Sequence, residues 1–367
     1  LLGQFDQLDN DSNSFRGHLR FTPTDRLELN FTAETSRVNQ SGPARYTVEG
    51  PAGRILSGLI DGDDIYKNLT GGPGRSERDI TGFMGRVDYD FDWGTFTSIT
   101  AYREADAIID VADVSQELSS LILSSPTAVA GDSNIPGANN TFRDESEQIS
   151  QEIRLTSAGD GMFDWVGGLY FLREEITRVE SFDLGFNLSD GAGGTIQVLP
   201  PSTGSSFMEN ETQGYAGFGQ VTWNLSDRLG ITVGGRYTDE EKKADTLSVA
   251  GGFLILESFD VNAKGSWSEF TPKFAIDFQL NDDNFFYGVA TNGFKSGGFQ
   301  GSPPVERTAT DPYNEETAWL YEIGAKTEWL DNRLRLNLAL FQTDYEDLQV
   351  FQLLVPENAP DGTPGVL

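Results

Sequence analysis

The sequence has no cysteine and a single histidine, His18. The first absence excludes a disulfide framework, thiolate metal ligation and a cysteine nucleophile. The second excludes a two-histidine metal centre and leaves a Ser-His-Asp triad one candidate base. Basic residues are scarce: 26 Lys and Arg face 57 Asp and Glu, for a net charge of −31. That balance argues against nucleic acid as a partner, since no basic patch is available to hold phosphates. Phosphate-binding loops, dinucleotide fingerprints and a Gly-x-Ser-x-Gly elbow are also missing. No apolar run approaches the ~18–20 residues that a membrane-spanning helix needs. A β-barrel escapes that last test, because only every second residue of its strands must be apolar.

Alternation is what the sequence does have. From Phe270 to Leu280, Phe270, Pro272, Phe274, Ile276, Phe278 and Leu280 alternate with Thr271, Lys273, Ala275, Asp277 and Gln279. Leu334, Leu336, Leu338 and Leu340 alternate with Arg335, Asn337 and Ala339. A period of two sustained over this length means β-strand, since successive side chains point to opposite faces. The first strand reads likewise, with Phe15, Gly17, Leu19 and Phe21 set against Arg16, His18 and Arg20.

The unit repeats as six hairpins, giving twelve strands and no helical periodicity. Short turns are expected at Pro23–Arg26, Asp92–Gly94, Ala158–Phe163, Ser226–Arg228, Asn281–Asn284 and Asp331–Arg333. They alternate with long connections at 38–78, 107–140, 181–208, near 247–262 and 300–314. Structureless segments this long are uncommon in compact domains unless functional, but are usual on the extracellular side of outer-membrane barrels. Phe91, Trp93, Phe163, Trp165, Trp223, Phe278, Phe285 and Trp329 cluster beside the short turns and read as an interfacial aromatic girdle. The competing reading, aromatic plugs in a soluble sandwich, sits poorly with strands of this length. The fold expected is therefore all-β: a transmembrane, up-and-down antiparallel barrel.

Several patterns resemble one family. They are Gln151-Glu-Ile-Arg-Leu155 with Trp165-Val-Gly-Gly-Leu-Tyr-Phe171, Tyr215-Ala-Gly-Phe-Gly-Gln220 with Gly234-Gly-Arg-Tyr-Thr238, and Asn292-Gly-Phe-Lys-Ser-Gly-Gly-Phe299. Tyr313-Asn-Glu315, Tyr321-Glu-Ile-Gly-Ala-Lys326 and Phe341-Gln-Thr-Asp-Tyr345 continue the series. In order and spacing, from about residue 14 to 352, the chain resembles TonB-dependent outer-membrane receptors. The resemblance implies a barrel of about 22 strands with a plugged lumen, of which this chain carries about twelve. Residues 1–367 then read as a partial barrel domain, with no plug and no TonB box identified before the first strand. Both ends of the chain read as cut from a longer protein.

The function this resemblance implies is TonB-dependent uptake of a scarce nutrient, with a ferric siderophore as the first expectation. It places the protein in the outer membrane of a Gram-negative bacterium, with outer-membrane lipid around it and TonB engaged through the missing plug region. A passive porin-like channel is the alternative, followed by an outer-membrane enzyme or adhesion barrel. No catalytic residue, metal site or cofactor is identified; His18, between Arg16 and Arg20, reads as a structural residue of the lumen face. The acidic loops Asp61-Gly-Asp63-Asp64 and Asp9-Asn10-Asp11 offer oxygen ligands for Ca²⁺ but lack EF-hand spacing, so they read as solvated loops. The candidate ligand-binding residues are Lys295, Phe299, Arg307 and Tyr313. Cations and aromatics at a barrel mouth suit an anionic, partly apolar ferric chelate, though ordinary loop packing would use the same residues.

Overall fold

The structure is a computed structural model and describes residues 10–41, 74–111, 138–159, 161–189, 195–252 and 255–350. Twelve strands form one antiparallel sheet in which each pairs with its sequence neighbours. They are β1 (Asn10–Thr24), β2 (Leu27–Gln40), β3 (Arg75–Phe91), β4 (Gly94–Val111), β5 (Ala138–Ser157) and β6 (Phe163–Ser189). There follow β7 (Thr195–Ser226), β8 (Leu229–Val249), β9 (Phe259–Asn281), β10 (Asn284–Lys295), β11 (Glu316–Trp329) and β12 (Leu334–Glu346). One short helix, α1 (Glu306–Thr310), interrupts the connection between β10 and β11. Because direction alternates strand by strand, the six short turns all lie at one end and the strand ends that lead into the long connections at the other. The sheet is open: among the described residues no ladder joins β1 to β12.

Two corrections concern length. The stretch 181–208, expected as a Gly-rich loop, is mostly strand: β6 and β7 pair as far as Ser189↔Thr195. Likewise β4 and β5 pair up to Val111↔Asn140, inside the expected connection 107–140. In 181–188 the apolar residues Phe182, Leu184, Phe186 and Leu188 fall on the opposite parity from Trp165, Leu169 and Phe171, so the run does not read as the same strand continuing, and around 138–146 no alternation is left. The acidic loop Asp61–Asp64 and Asp9 lie outside the described residues, whereas Asn10 and Asp11 belong to β1.

Cross-strand register sorts the side chains into two faces. On one, Phe163, Trp223, Ile231, Ile276, Gly288, Ile323 and Leu340 stand in a single row across β6 to β12. This face is apolar yet open: Phe274, Ile276, Leu338 and Leu340 are 50%, 49%, 60% and 72% exposed. A soluble core would bury such residues; a wall bathed in hydrocarbon would present them. The outward run Phe270 to Leu280, at ~3.4 Å per residue and a tilt of ~40°, rises about 26 Å, close to the apolar band of an outer-membrane barrel.

Aromatics edge that band at the turn end. Phe91 stacks on Trp93 at 5.2 Å, Trp93 on Trp165 at 6.2 Å and Phe163 on Trp223 at 5.9 Å. Phe285 is the exception. A register shift beside Asn284 turns it to the inner face, opposite Gln279, and Phe286 takes the outward position. Beyond Phe171 and Tyr237 the outward face changes to ion pairs, such as Arg173–Glu211 (3.2 Å), Lys243–Glu211 (3.4 Å) and Lys264–Glu241 (2.8 Å). That change marks where strands leave the apolar layer and enter water.

The inner face is mostly polar away from the loop end. Asp88, Thr97, Arg154, Gly168, Phe218, Arg236 and Thr271 form one of its rows. Arg86 pairs with Asp88 at 2.6 Å, Arg154 with Glu152 at 3.2 Å, and Arg236 lies over the rings of Tyr170 and Phe218. His18 accompanies them, its Nδ1 3.0 Å from Thr32 Oγ1. Such pairs within the sheet help keep this wall ordered where no core can hold it.

Candidate ligand site at the loop end

Most of the described sheet is a single layer, and its buried residues concentrate in one place. Glu180 and Phe182 of β6, Ser206 and Met208 of β7, Ala244 and Ser248 of β8, and Trp267 of β9 are all at most 8% exposed. With them are buried Phe299, Pro303 and Ala309 of the β10–β11 connection. The connection, residues 296–315, is thus packed against the inner face of β6–β9 near the loop end.

Its anchors follow in chain order. Lys242 Nζ donates to Ser296 Oγ and to the Gly297 carbonyl, both at 2.8 Å, pairs with Glu240 at 3.1 Å and lies 5.7 Å from the Trp267 ring. Ser296 Oγ in turn donates to Glu240. Gly297 must be glycine: a Cβ there would sit 2.2 Å from both Trp267 Nε1 and the Tyr313 carbonyl oxygen. Gly298 and Tyr313 exchange backbone hydrogen bonds of 3.2 and 2.9 Å, closing the connection into a loop. Phe299 meets Trp267 edge-on at 6.2 Å, with Ala244 and Ala263 beneath. The N–H groups of Leu256 and Glu257 both donate to the Pro304 carbonyl, and Glu257 accepts from the first-turn N–H of α1 at Glu306 (3.1 Å). From the far side, Gln349 Nε2 donates to the carbonyls of Ser296 and Asn314.

The four residues singled out in the sequence all belong to this assembly or its margin, in different roles. Phe299 is 6% exposed and its ring serves packing. Lys295 is exposed at the last position of β10, opposite Glu316. Arg307 is exposed on α1, 3.7 Å from Asp311. Tyr313 is 45% exposed, and burial of the rest of it raises its phenol above the ordinary value. Three polar tips therefore remain open to solvent around a connection whose backbone is fixed from below. Lys242 and Trp267, which hold the connection, and Arg178 and Glu180 of β6, of which Arg178 lies against Gly301, were not anticipated. Their even or odd positions place them on the inner face, but alternation says nothing of which connection folds onto them.

Comparisons with known proteins agree with this architecture. The family model described as TonB dependent receptor-like, beta-barrel, matches residues 5–364. Pesticin receptors of Yersinia enterocolitica and Yersinia pestis are each 25% identical over 205 residues, 56% of this chain and 27% of the relative. Among solved structures, the ferric yersiniabactin uptake receptor FyuA of Yersinia pestis superposes with a TM-score of 0.69 at 18% identity, over 93% of this chain and 46% of that one. The siderophore receptor PiuA of Acinetobacter baumannii gives 0.62 at 12% identity, over 93% and 50%. The chain thus spans about half of those two solved receptor chains, with the likeness along 93% of its own length, and its match to the pesticin receptors covers 27% of theirs. It belongs to the TonB-dependent receptor-like β-barrel family.

Proposed function

We propose that this chain is the wall and part of the mouth of an outer-membrane receptor that takes up a ferric chelate with TonB-derived energy. The observation that carries the reading is the docked β10–β11 connection, which holds Lys295, Arg307 and Tyr313 open to solvent above a lipid-facing wall. Two cations and a phenol on a fixed backbone match an anionic, partly aromatic chelate: the cations supply charge-assisted hydrogen bonds and the ring supplies contact area. Phe299 contributes by holding that backbone in place. Relatives named for siderophore uptake support the ligand class, and receptors of this family support the outer membrane as its location. TonB would act through a plug region, and the receptor that includes it is the unit of transport. We place the chain, residues 1–367, in the barrel domain of that receptor.

The test is equilibrium binding of a panel of ferric chelates, catecholate and non-catecholate, to the receptor in outer-membrane preparations. Replacing Lys295 and Arg307 together with glutamine should weaken binding of the cognate chelate by about tenfold or more, from the loss of hydrogen bonds to charged groups. Unchanged affinity would remove these residues from the site. Saturable uptake that persists without an energised inner membrane would favour the passive channel instead.

A further inference from the structure

Asn140 of β5 and Glu180 of β6 lie together on the inner face, well beyond Phe171 where the outward apolar band of β6 ends. They are 5% and 1% exposed. Asn140 Nδ2 donates to Glu180 Oε1 at 3.3 Å. The other two head-group atoms, Asn140 Oδ1 and Glu180 Oε2, are also buried, and neither has a hydrogen-bond partner. Both are acceptors while the carboxylate is ionised, so each carries the cost of desolvation with nothing to offset it. One proton satisfies both. Placed on Oε2, it turns that oxygen into a donor toward Asn140 Oδ1 and closes a cyclic acid–amide pair.

We propose that Glu180 holds a proton shared with Asn140, and that this pair is a proton-dependent fastening for the β10–β11 connection. The link to the connection is burial: Gly301 lies against the guanidinium of Arg178, the neighbouring inner residue of β6, and Glu180 beside it is 1% exposed. The surroundings favour the neutral acid. The neighbouring cation, Arg178, is committed to Asp144, with Nε and Nη2 each 2.7 Å from a carboxylate oxygen. β7 places Ser206 opposite Glu180, with no titratable group beside it on that face. The connection brings Gly301, Ser302 and two prolines, again with nothing to titrate. Burial raises the Glu180 carboxyl above its usual range and Asp144 adds to this, against Ser302, the hydrogen bond from Asn140 and the charge of Arg178.

The direction of the pH effect follows. A folded value above the unfolded one means the stabilisation is complete below the unfolded value and is lost as pH rises through the folded value. Between those two values docking of the connection should weaken by up to about tenfold per pH unit, the slope of a single proton, and it should level off above the folded value.

Two measurements on the whole receptor that contains this chain, in lipid bilayers, test this, and neither involves a ferric chelate, so they stand or fall apart from the uptake reading. Infrared difference spectra of wild type against Glu180→Gln, at about pH 6 and so well above the ordinary ~4.3 of glutamate, should contain one protonated-carboxyl band. Asn140→Leu should shift the same band, which keeps the test available if Glu180→Gln does not assemble. Hydrogen exchange at Gly297 and Gly298, corrected for intrinsic base catalysis, should rise with pH in wild type. It should be flat in Glu180→Gln, whose amide closes the same ring without a proton. An ionised Glu180 at that pH, whether met by a metal ion or by water, would overturn the proposal. So would an equal pH dependence of exchange in Glu180→Gln.

Discussion

At the scale of single residues, the outward face decides what a substitution does. Leu338 is 60% exposed and stands mid-strand on β12, opposite Ala325. In water its loss would matter little, but in hydrocarbon a cation there is stripped of its hydration. Leu338→Arg should therefore destabilise the folded wall by about 2–4 kcal/mol in bilayers, measured by denaturant titration into lipid vesicles. The inward neighbour Asn337, opposite Lys326, faces the wet side, and Asn337→Arg should cost far less. Equal costs for the two would contradict the assignment of faces. The turn end gives a different case. Leu330, Asp331 and Asn332 all adopt positive φ, at 58°, 56° and 62°, a conformation that strains a branched side chain such as leucine. Leu330→Gly removes that strain but adds freedom to the unfolded chain, and is expected to raise stability by about 0.5 kcal/mol in the same titration; a loss of stability would contradict this.

At the scale of elements, the β10–β11 connection is the part held by side chains rather than by sheet pairing. Lys242 is its most connected anchor, with its side chain 18% exposed and its partner Glu240 17% exposed. Lys242→Met keeps the length and apolar stem but loses the ion pair and two hydrogen bonds, leaving Glu240 half-buried and without its cation. Docking of the connection should weaken by about 2–4 kcal/mol. Spin labels on α1 would then report greater mobility, while the pairing of β8 with β9 stays intact. An immobile α1 in Lys242→Met would show that Phe299 and Pro304 suffice. The strands themselves were legible, because the alternation of Phe274, Ile276 and Phe278 can be satisfied only by an extended chain between two media. The upper hairpins were not. From Phe182 onward the apolar residues of the sequence move to the other parity, Phe182, Leu184, Phe186 and Leu188, so the strand continues without the pattern that began it. The site was legible only in part for a related reason: Phe299 and Tyr313 announce packing or binding equally, and only their exposure separates the two roles.

At the scale of the whole molecule, two features must be read together. One face carries an apolar band about 26 Å high, and the sheet that carries it is open, with β1 and β12 as edges. Unpaired backbone groups cannot persist in hydrocarbon, so those edges must find strand partners wherever this wall is in a membrane. The central claim is that the two faces meet different media, lipid outside and water inside. Because the chain has no cysteine, single cysteines introduced along β9 report on this without background. The decisive measurement is a scan of positions 270–280 in outer-membrane bilayers, reading reaction with a membrane-impermeant maleimide and quenching by nitroxide-labelled lipid. Phe274, Ile276 and Phe278 should be unreactive and quenched, and Lys273, Ala275 and Asp277 reactive and unquenched, alternating residue by residue. Uniform reactivity along the strand, or the opposite alternation, would contradict the account.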